Sequence, residues 1–367
     1  MSNTKILVIG STGMLGKKLL KFCHNNEIPI YCITCFKNID LMKKMSQEYK
    51  IKQKFCLSKA TDYNNFLLSI KKINFNLIYF LDFGSGSLNL LSKILLHNKN
   101  SYIAIANKEM IIAGGKFMIK EIKKSGNKFI PLDSEHYSLI NSPISNHLVK
   151  KVYITASGGP FYYKKNINLE SAPRKLILSH PKWKMGLNNL IDSSNFINKV
   201  LEMYELSSIF NISIDKIDFL ISPEAYIHSI VEYKNNIVSY NSFSNNMLIA
   251  LTYPLSFFYE FNFNINKNVI KDLFHFKLEK RNDKRFIIFK FLSKLKKLNH
   301  RQQINFMILN NIAQKLFLEN KIKYNDIFNF ILSNLDFKTH DYQFNSFDEI
   351  ISYIDSLKFK YNNLLND

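Results

Sequence analysis

The sequence predicts an α/β protein with an N-terminal Rossmann-like parallel sheet, an α+β catalytic domain and a small C-terminal α-helical domain. Three observations carry this prediction. In the first third of the chain, short apolar runs alternate with segments of helical periodicity, which is typical of a parallel sheet. A middle region rich in polar motifs follows. Beyond Arg285 helical periodicity returns with almost no Gly or Pro.

The first elements form a strand, a glycine turn and a helix. Lys5–Ile9 predicts a short buried strand, Gly10–Gly16 (GSTGMLG) follows it directly, and Met14–Phe22 has helical spacing. Ile28–Phe36 predicts a second strand and completes a β–α–β unit. Later apolar runs predict further strands at Leu77–Asp82, Tyr102–Ala106, Val152–Thr155, Ile217–Ile221 and Ile227–Tyr233.

The length predicts more than one domain. At 367 residues the chain is long for one hydrophobic core, because domains usually hold about 100–200 residues. We expect a Rossmann-like domain over 1–133 and a second domain, which holds most of the polar motifs, over 134–255. A linker over 256–285 and a helical domain over 286–367 would complete the chain.

The chain carries a formal net charge of +21, which can attract nucleic acid, anionic membranes or phosphorylated substrates. Its lysines are spread from Lys5 to Lys360 without a separate basic block. The favoured interpretation is therefore compositional drift, which would still help to capture a phosphate ester. A basic RNA-binding protein stays an alternative, but no aromatic-basic recognition motif supports it and we expect no specific nucleic acid partner.

Four cysteines, Cys23, Cys32, Cys35 and Cys56, lie in the first part of the chain. Cys32 and Cys35 form a C-x-x-C pair, but a structural zinc site usually needs a second pair, and a redox motif sits at a helix N-terminus. Because this pair lies in a predicted strand, we expect free buried thiols and a reducing compartment. No signal peptide and no run of about 20 apolar residues is visible, so we expect a soluble cytoplasmic protein without a membrane partner.

A glycine triplet, Gly10-x-x-Gly13-x-x-Gly16, follows the first strand and opens the first helix. Glycines let the backbone approach a pyrophosphate, which the N–H groups of a helix N-terminus bind. NAD-binding folds usually place an Asp or Glu about 20 residues further on, where it holds the ribose 2′-hydroxyl. Lys37 and Asn38 stand there instead, and a cation with an amide suits a 2′-phosphate. The sequence therefore predicts NADPH rather than NADH as the cofactor.

Four further segments follow in order: Ala106–Glu109 (ANKE), Asp133–His136 (DSEH), Ser157–Phe161 (SGGPF) and Ser179–Glu202, which contains SHPKWKMG and IDSSNFINKVLE. With the glycine turn, they resemble the 1-deoxy-D-xylulose 5-phosphate reductoisomerases from about Lys5 to Pro254. The resemblance implies an oxidoreductase of isoprenoid biosynthesis that isomerises and reduces 1-deoxy-D-xylulose 5-phosphate to 2-C-methyl-D-erythritol 4-phosphate. It also implies NADPH, Mn²⁺ or Mg²⁺, and a homodimer.

The resemblance also assigns the site residues. It implies metal ligands at Asp133, Glu135 and Glu202, and a hard divalent cation does prefer such oxygen ligands. An extended segment would turn Asp133 and Glu135 the same way, and a helix would place Asn198 and Glu202 on one face. Catalytic roles are implied for Lys108, Glu135 and His180. Substrate contacts are implied for Lys108, Ser134, Glu135, Ser157, His180, Ser193, Asn198, Lys199 and Glu202. Cofactor contacts are implied for Gly10, Ser11, Thr12, Gly13, Met14, Leu15, Lys37, Asn38, Asn107, Glu109 and Gly186.

Other positions leave alternatives open. The segment with His180, Trp183 and Met185 resembles the family's mobile lid, and His228 is either a residue near the substrate or a satisfied core histidine. The chain departs from the family pattern at Leu187, Asn188, Val200 and Ser222. These departures motivate a second alternative, a degenerate homologue that binds NADPH without turnover. A different NADP oxidoreductase of the aspartate-semialdehyde type would need a catalytic cysteine near the substrate motifs, where the chain has none.

Overall fold

The computed structural model describes residues 4–180, 182, 185–262, 276–280 and 284–361. The chain divides into two compact units. The first unit is drawn from Met1–Ile140 and Asn246–Lys267, and the second from Asn141–Asn245 and Asn268–Asp367. The chain therefore returns to the first unit after the strands of the second. The linear division into three domains and a linker stays a prediction.

The sheet of the first unit has six strands: β1 (Ile6–Ile9), β2 (Cys32–Cys35), β3 (Gln53–Cys56), β4 (Leu77–Phe80), β5 (Tyr102–Ile105) and β6 (Lys128–Pro131). Their order is β3-β2-β1-β4-β5-β6, and every neighbouring pair is parallel. This is the doubly wound order of a Rossmann sheet, in which the winding reverses between β1 and β4. The predicted Rossmann-like parallel sheet is thus confirmed.

Helices connect these strands as parallel pairing requires. The first of them buries Leu19, Leu20 and Cys23 on one face, while its lysines remain exposed. This arrangement follows from the apolar spacing in the sequence. The helices are α1 (Met14–Asn25), α2 (Ile39–Glu48), α3 (Ala60–Lys72), α4 (Ser87–His97) and α5 (Lys108–Lys124), and the single turn α6 (Ser134–Tyr137) follows β6.

Strand β2 is shorter than the predicted strand over Ile28–Phe36. Pro29 has no N–H to give to a β-ladder, which disfavours pairing at the start of this run. Pairing begins where the N–H of Tyr31 donates to the carbonyl oxygen of Ile6 at 3.1 Å, and the ladder itself starts at Cys32.

The second unit has a mixed sheet of four strands: β7 (Val149–Ala156), β8 (Ile217–Ile221), β9 (Ile227–Tyr233) and β10 (Val238–Ser242). Their order is β10-β9-β7-β8, with β7 and β8 parallel and the other pairs antiparallel. A parallel pair needs a long crossover, and this one contains α7 (Arg174–Ile177), α8 (Leu187–Asn195) and α9 (Ile197–Ile209). The motifs from Ser157 to Glu202 all lie in this crossover.

After β10, helix α10 (Leu248–Thr252) belongs to the first unit. Leu251 and Leu255 are fully buried and join the hydrophobic core of the Rossmann sheet. The hydroxyl of Tyr79, on β4, donates to the carbonyl oxygen of Leu251 at 2.8 Å. Residues distant in sequence thus complete this core.

The C-terminal part of the second unit is helical, as the sequence predicts. The longest helix begins at a capping box, in which Asn299 and Gln302 each accept from the other's backbone N–H at 3.0 Å. No helix among the described residues is both long and apolar enough to cross a membrane. The helices are α11 (Ile288–Leu295), α12 (His300–Leu318), α13 (Asp326–Asn334) and α14 (Phe347–Tyr361).

Candidate active site

The glycine turn lies at the carboxyl end of β1, where Gly10 has φ +81°. A Cβ on Gly10 would stand 2.5 Å from the backbone nitrogen of Asp82, so only glycine fits between β1 and the chain after β4. Gly13 is the N-cap of α1 without a side-chain hydrogen bond, and the first turn of α1 has no acidic residue. The N–H groups at this helix end are therefore suited to an anionic group.

The other predicted cofactor residues of this turn differ in exposure. Thr12 and Leu15 are half-buried, and Met14 is exposed. Ser11 is fully buried, and both its N–H and its hydroxyl donate to the carbonyl oxygen of Thr34 at 2.9 Å. Ser11 therefore connects the glycine turn to β2 by hydrogen bonds.

Lys37 and Asn38 follow β2, the strand next to β1. Because the strands are parallel, both turns lie at the same edge of the sheet. Lys37 is exposed. Asn38 is the N-cap of α2, and its carboxamide oxygen accepts from the N–H of Leu41 at 3.3 Å. The cation predicted to hold a 2′-phosphate thus lies at the edge of the sheet that carries the glycine turn.

A buried polar cluster surrounds Asn107, the N-cap of α5. Its carboxamide oxygen accepts from the N–H of Met110 at 3.0 Å. Its amide donates to Asp82 Oδ1 at 3.3 Å and to the carbonyl oxygen of Gly84 at 2.9 Å. Burial raises the pKa of Asp82, and hydrogen bonds from Ser87 and Asn107 offset this in part. Asn107 therefore joins the turn after β4 to the start of α5.

Glu109, in the first turn of α5, is a buried carboxyl group, and burial raises its pKa above the ordinary value. The native state therefore holds this proton more tightly than the unfolded state. The free energy of unfolding consequently falls as the pH rises from the ordinary pKa through the raised one. Glu109→Gln is expected to raise the melting temperature at neutral pH by a few degrees. This gain should vanish below the ordinary glutamate pKa, as thermal denaturation over a pH series would measure.

The matched control is Glu121→Gln, on the same helix, where the carboxylate pairs with Lys124 at 3.2 Å near the surface. This variant removes a carboxylate near the surface and should not raise the melting temperature at neutral pH. A Glu109→Gln profile that coincides with wild type at every pH would contradict the assignment.

The segment after β6 is a helical turn, and the extended conformation that the sequence predicts is wrong. Asp133 is the N-cap of α6, and its Oδ1 accepts from the N–H of Glu135 at 3.2 Å. The Lys108 ammonium lies 3.4 Å from Asp133 Oδ2, and the Ser134 hydroxyl donates to the Glu135 carboxylate. These four predicted site residues lie together because the cap, and not strand alternation, sets the direction of the carboxylates.

Helix α9 carries three predicted site residues on one face. Glu202 is 1% exposed, and its carboxylate accepts from Lys199 Nζ at 2.7 Å and from the side-chain amide of Asn198. The predicted sharing of a helix face by Asn198 and Glu202 is confirmed. A buried carboxylate is costly unless it is paired, and the lysine provides the opposite charge.

Three predicted substrate residues are connected within the crossover. Ser157 Oγ lies 2.9 Å from His180 Nε2. Ser157 opens a loop in which Gly158 and Gly159 have φ of +86° and +66°. A Cβ on Gly159 would stand 2.9 Å from the carbonyl oxygen of Ser193, so the loop packs closely against α8.

The predicted lid is described only in part. Gly186 is the N-cap of α8 and is exposed, and Met185 is half-buried. Trp183 lies outside the described residues, as do Pro181 and Lys184. The role of Trp183 therefore stays a prediction.

The structure favours one of the two interpretations of His228. Its ring is 2% exposed and stacks on the ring of Phe243, with the centroids 3.8 Å apart. Its Nε2 lies 3.2 Å from the carbonyl oxygen of Phe243. This arrangement supports a satisfied core histidine.

Comparison with known proteins decides the family. Residues 129–210 match the model of the 1-deoxy-D-xylulose 5-phosphate reductoisomerase C-terminal domain. The chain is 34% identical to the 1-deoxy-D-xylulose 5-phosphate reductoisomerase of Pelagibacter ubique, over 89% of this chain and 90% of that relative. The chain belongs to the 1-deoxy-D-xylulose 5-phosphate reductoisomerase family. The same enzyme of Clostridium novyi is 30% identical, over 88% of this chain and 89% of its own.

Solved reductoisomerases have the same fold. A DOX-P reductoisomerase in complex with NADPH, fosmidomycin and magnesium superposes with a TM-score of 0.85 at 22% identity, over 99% of this chain and 97% of its own. The reductoisomerase of Zymomonas mobilis in complex with NADPH gives 0.82 at 20% identity, over 99% of each chain. Family membership does not favour the RNA-binding alternative.

Sequence reasoning missed three polar groups of this chain. Asp82 accepts from Asn107, His136 Nδ1 lies 3.6 Å from Asp133 Oδ1, and Asp192 directly precedes a predicted substrate residue. For Asp82 the available signal was a single acidic residue at the end of an apolar strand. His136 and Asp192 lie inside motifs that resemble the family's. Their position next to predicted site residues was the one sequence feature that could have indicated a role.

All four cysteines of the chain are free and buried, which confirms the prediction of buried thiols. Cys32 and Cys35 lie on β2 in the core of the parallel sheet. Burial raises the pKa of Cys35 to about 12, so its thiol stays protonated and unreactive at neutral pH. The C-x-x-C pair is therefore part of the sheet core.

Proposed function

We propose that this chain isomerises 1-deoxy-D-xylulose 5-phosphate and reduces the rearranged product with NADPH to 2-C-methyl-D-erythritol 4-phosphate. It would use a divalent metal and supply isoprenoid precursor synthesis by the non-mevalonate route. The observation that carries the proposal is the hydrogen-bonded group of Asn198, Lys199 and Glu202 on α9, at the family's spacing, in which the lysine and the glutamate are buried. One rigid helix thereby offers an ammonium group for a phosphate and a carboxylate for a metal.

NADPH is assigned mainly to the first unit. Gly10 has no Cβ, so a pyrophosphate could approach the backbone closely there. The N-terminus of α1 has no side-chain cap, so its N–H groups could bind the pyrophosphate. Lys37 suits the 2′-phosphate as a charged hydrogen-bond donor. When bound, NADPH supplies the hydride for the reduction. By the family resemblance, the proposed contacts are Gly10, Ser11, Thr12, Gly13, Met14, Leu15, Lys37, Asn38, Asn107, Glu109 and Gly186.

By the family resemblance, the divalent metal is assigned to Asp133, Glu135 and Glu202. All three are carboxylates, the hard oxygen ligands that Mg²⁺ and Mn²⁺ prefer. Lys108 beside Asp133 and Lys199 beside Glu202 offset the negative charge that such a group of ligands concentrates. When bound, the cation would act as a Lewis acid that polarises the substrate carbonyl group.

The substrate phosphate is assigned to Ser157, Ser193, Asn198 and Lys199. Lys199 is 7% exposed, and an ammonium group with so little water around it binds a phosphate more strongly than a surface lysine does. Hydroxyl and amide donors complete the set of polar groups that a phosphate and its neighbouring hydroxyls require.

The reaction first shifts a carbon–carbon bond within the hydroxy-ketone, which leaves an aldehyde, and a hydride and a proton then reduce that aldehyde to an alcohol. The Lys108 ammonium would stabilise negative charge that develops on a substrate oxygen, with Ser134 as a neighbouring donor. His180, bonded to Ser157 at 2.9 Å, would hold the lid segment over the substrate. Closure would keep water away from the aldehyde.

Two further properties belong to this proposal. The resemblance supports a homodimer, for which light scattering at several protein concentrations is the test. The buried free thiols support a reducing, cytoplasmic compartment.

Substrate-dependent loss of NADPH absorbance tests the proposed function. We expect NADPH oxidation with 1-deoxy-D-xylulose 5-phosphate and Mg²⁺ or Mn²⁺, loss of oxidation with a chelator, and recovery when the metal is added in excess. A folded protein that binds NADPH but oxidises none would support the degenerate homologue instead. Leu187, Asn188 and Val200 would then be the first positions to restore to the family pattern.

Lys37→Asp is expected to shift the cofactor preference from NADPH towards NADH. The variant removes the cation for the 2′-phosphate and adds an acceptor for a ribose hydroxyl. Charged hydrogen bonds contribute about 1.5–3 kcal/mol, so the ratio of kcat/KM for NADPH to that for NADH should fall by roughly 10- to 150-fold. Lys44→Asp, at another exposed lysine, on α2, is the control for charge alone. Equal ratios in the two variants would refute the role of Lys37.

A further inference from the structure

Asp192 is a buried carboxylate in α8 that the proposed chemistry does not use. It is 5% exposed and directly precedes Ser193, one of the residues assigned to the substrate phosphate. A carboxylate taken out of water is costly unless donors surround it, so its partners indicate what the structure gains from it.

Two amides from the C-terminal helix α12 hold this carboxylate. Asn310 Nδ2 lies 3.0 Å from each carboxylate oxygen, and Gln314 Nε2 lies 2.5 Å from Oδ1. Asn310 and Gln314 are four residues apart on one face of α12, and both are fully buried. Gln314 also donates to the carbonyl oxygen of Asn188 at 3.3 Å, one turn before Asp192. Helix α12 is thus hydrogen-bonded to α8 at two successive turns.

The amides point their NH₂ groups at the carboxylate. Among the described residues, Asn310 Oδ1 and Gln314 Oε1 are buried without a hydrogen-bond partner. Leaving a buried acceptor unpaired is unfavourable, so this orientation is maintained by the charged acceptor that both amides share.

Helix α8 adjoins the proposed phosphate site on both sides. On one side, the Gly159 backbone packs against the carbonyl oxygen of Ser193 so closely that a Cβ would stand 2.9 Å from it. On the other side, α8 passes into α9 through a single residue, Phe196, with φ +66°. Its buried ring stacks on Phe219 and contacts Phe286 edge-on, with centroids 5.9 and 4.8 Å away, which holds this uncommon backbone conformation.

A displacement of α8 would therefore move Ser193 relative to Ser157 on one side and to Asn198 and Lys199 on the other. A second bond limits such movement, since Ser194 Oγ lies 2.9 Å from the hydroxyl of Tyr324, which precedes α13.

We propose that Asp192 is a positioning residue for substrate binding: its carboxylate, held by Asn310 and Gln314, fixes α8 so that Ser193 and Lys199 meet the same phosphate. The C-terminal helices would thereby set the affinity for the phosphorylated substrate without touching it. This inference rests on the proposed function for the identity of the substrate, and on the α8–α12 contacts for the role of Asp192.

The test compares Asn310→Leu and Gln314→Leu with Asn329→Leu, which removes an exposed amide from α13 in the same set of helices. We expect Asn310→Leu to raise the KM for 1-deoxy-D-xylulose 5-phosphate roughly 10-fold or more, because it removes charged hydrogen bonds. The KM for NADPH should rise much less, because Gly186, at the N-cap of α8, is the one assigned cofactor contact that adjoins this helix. Gln314→Leu should act in the same direction, and Asn329→Leu should match wild type.

If Asp192 only stabilised the fold, the variants would give different results. An unchanged substrate KM in Asn310→Leu, with only a lower melting temperature, would overturn the proposal. So would a parallel rise of both Michaelis constants.

A double variant that exchanges the carboxylate of Asp192 and the amide of Asn310 keeps the proposal testable if the single variants do not fold. Asp192→Asn combined with Asn310→Asp restores a donor facing a carboxylate and should recover most of the substrate affinity that either single variant loses. If the single variants do not fold, this double variant decides: substrate affinity near wild type supports the proposal, and folded protein with weak substrate affinity overturns it.

Failure of the proposed function would be visible separately, as wild-type protein that oxidises no NADPH. Calorimetric titration of wild type, Asn310→Leu and the double variant with 1-deoxy-D-xylulose 5-phosphate would then replace the kinetic test. Equal affinities, or no binding by any of them, would overturn the role of Asp192.

Discussion

Glu202→Gln is expected to lower kcat by about 10³-fold or more, because a bound cation contributes several kcal/mol of charge stabilisation and each 1.36 kcal/mol is tenfold in rate. Glutamine keeps the size of the side chain but loses the charge that a divalent cation requires. Steady-state NADPH oxidation at saturating substrate, over a series of metal concentrations, measures the effect. Excess metal should recover little of the rate.

The control for this prediction is Asp218→Asn in the same unit. Asp218 pairs with Lys296 at 3.6 Å, and both side chains are mostly buried, so this variant also breaks a sheltered ion pair. Breaking such a pair can cost up to about 3–5 kcal/mol of stability, and both variants should therefore melt at a lower temperature. Only Glu202→Gln should lose turnover. Similar kcat losses in the two variants would show that Glu202 acts through stability alone.

Lys199→Met should raise the KM for 1-deoxy-D-xylulose 5-phosphate by roughly 10- to 150-fold, which corresponds to the loss of one charged hydrogen bond to phosphate. The substitution also removes the cation that pairs with Glu202 at 2.7 Å, so kcat should fall as well. The KM for NADPH should change little. Initial rates with each substrate varied in turn, at saturating metal, separate the three parameters.

Lys296→Met is the control, since it removes another mostly buried ammonium group that pairs with a carboxylate, that of Asp218 at 3.6 Å. It is expected to destabilise the fold while leaving the substrate KM within about twofold, because Lys296 is not among the residues assigned to the phosphate. A Lys199→Met enzyme with a normal substrate KM would remove Lys199 from the phosphate site.

Local patterns in the sequence predicted much of the fold and part of the site. The apolar run Lys5–Ile9, the glycine turn and the helix after it are determined by neighbours in the chain, and their order alone specifies a parallel sheet. The shared face of Asn198 and Glu202 follows from helical geometry, which needs no tertiary information.

Features that depend on distant residues were not predictable in this way. The return of Leu251 and Leu255 to the core of the first unit depends on packing against β4, far away in sequence. The contact between Asp192 and Asn310 depends on how α12 packs on α8, and neither helix shows it alone.

The local conformation at Asp133 was mispredicted for a different reason. Two acidic residues separated by one position fit both an extended strand and a capped helical turn, and spacing does not separate these cases. The hydrogen bond from the N–H of Glu135 to Asp133 Oδ1 caps the helical turn and so favours it over an extended strand.

The product formed from carbon-labelled 1-deoxy-D-xylulose 5-phosphate tests the central claim most directly, because the claim joins a change of carbon skeleton to a reduction. With NADPH and Mg²⁺, we expect one molecule of NADPH consumed for each molecule of branched 2-C-methyl-D-erythritol 4-phosphate, seen as new carbon–carbon couplings by NMR. Reduction to an unbranched polyol phosphate, or consumption of NADPH without a change in the labelled carbon skeleton, would contradict it.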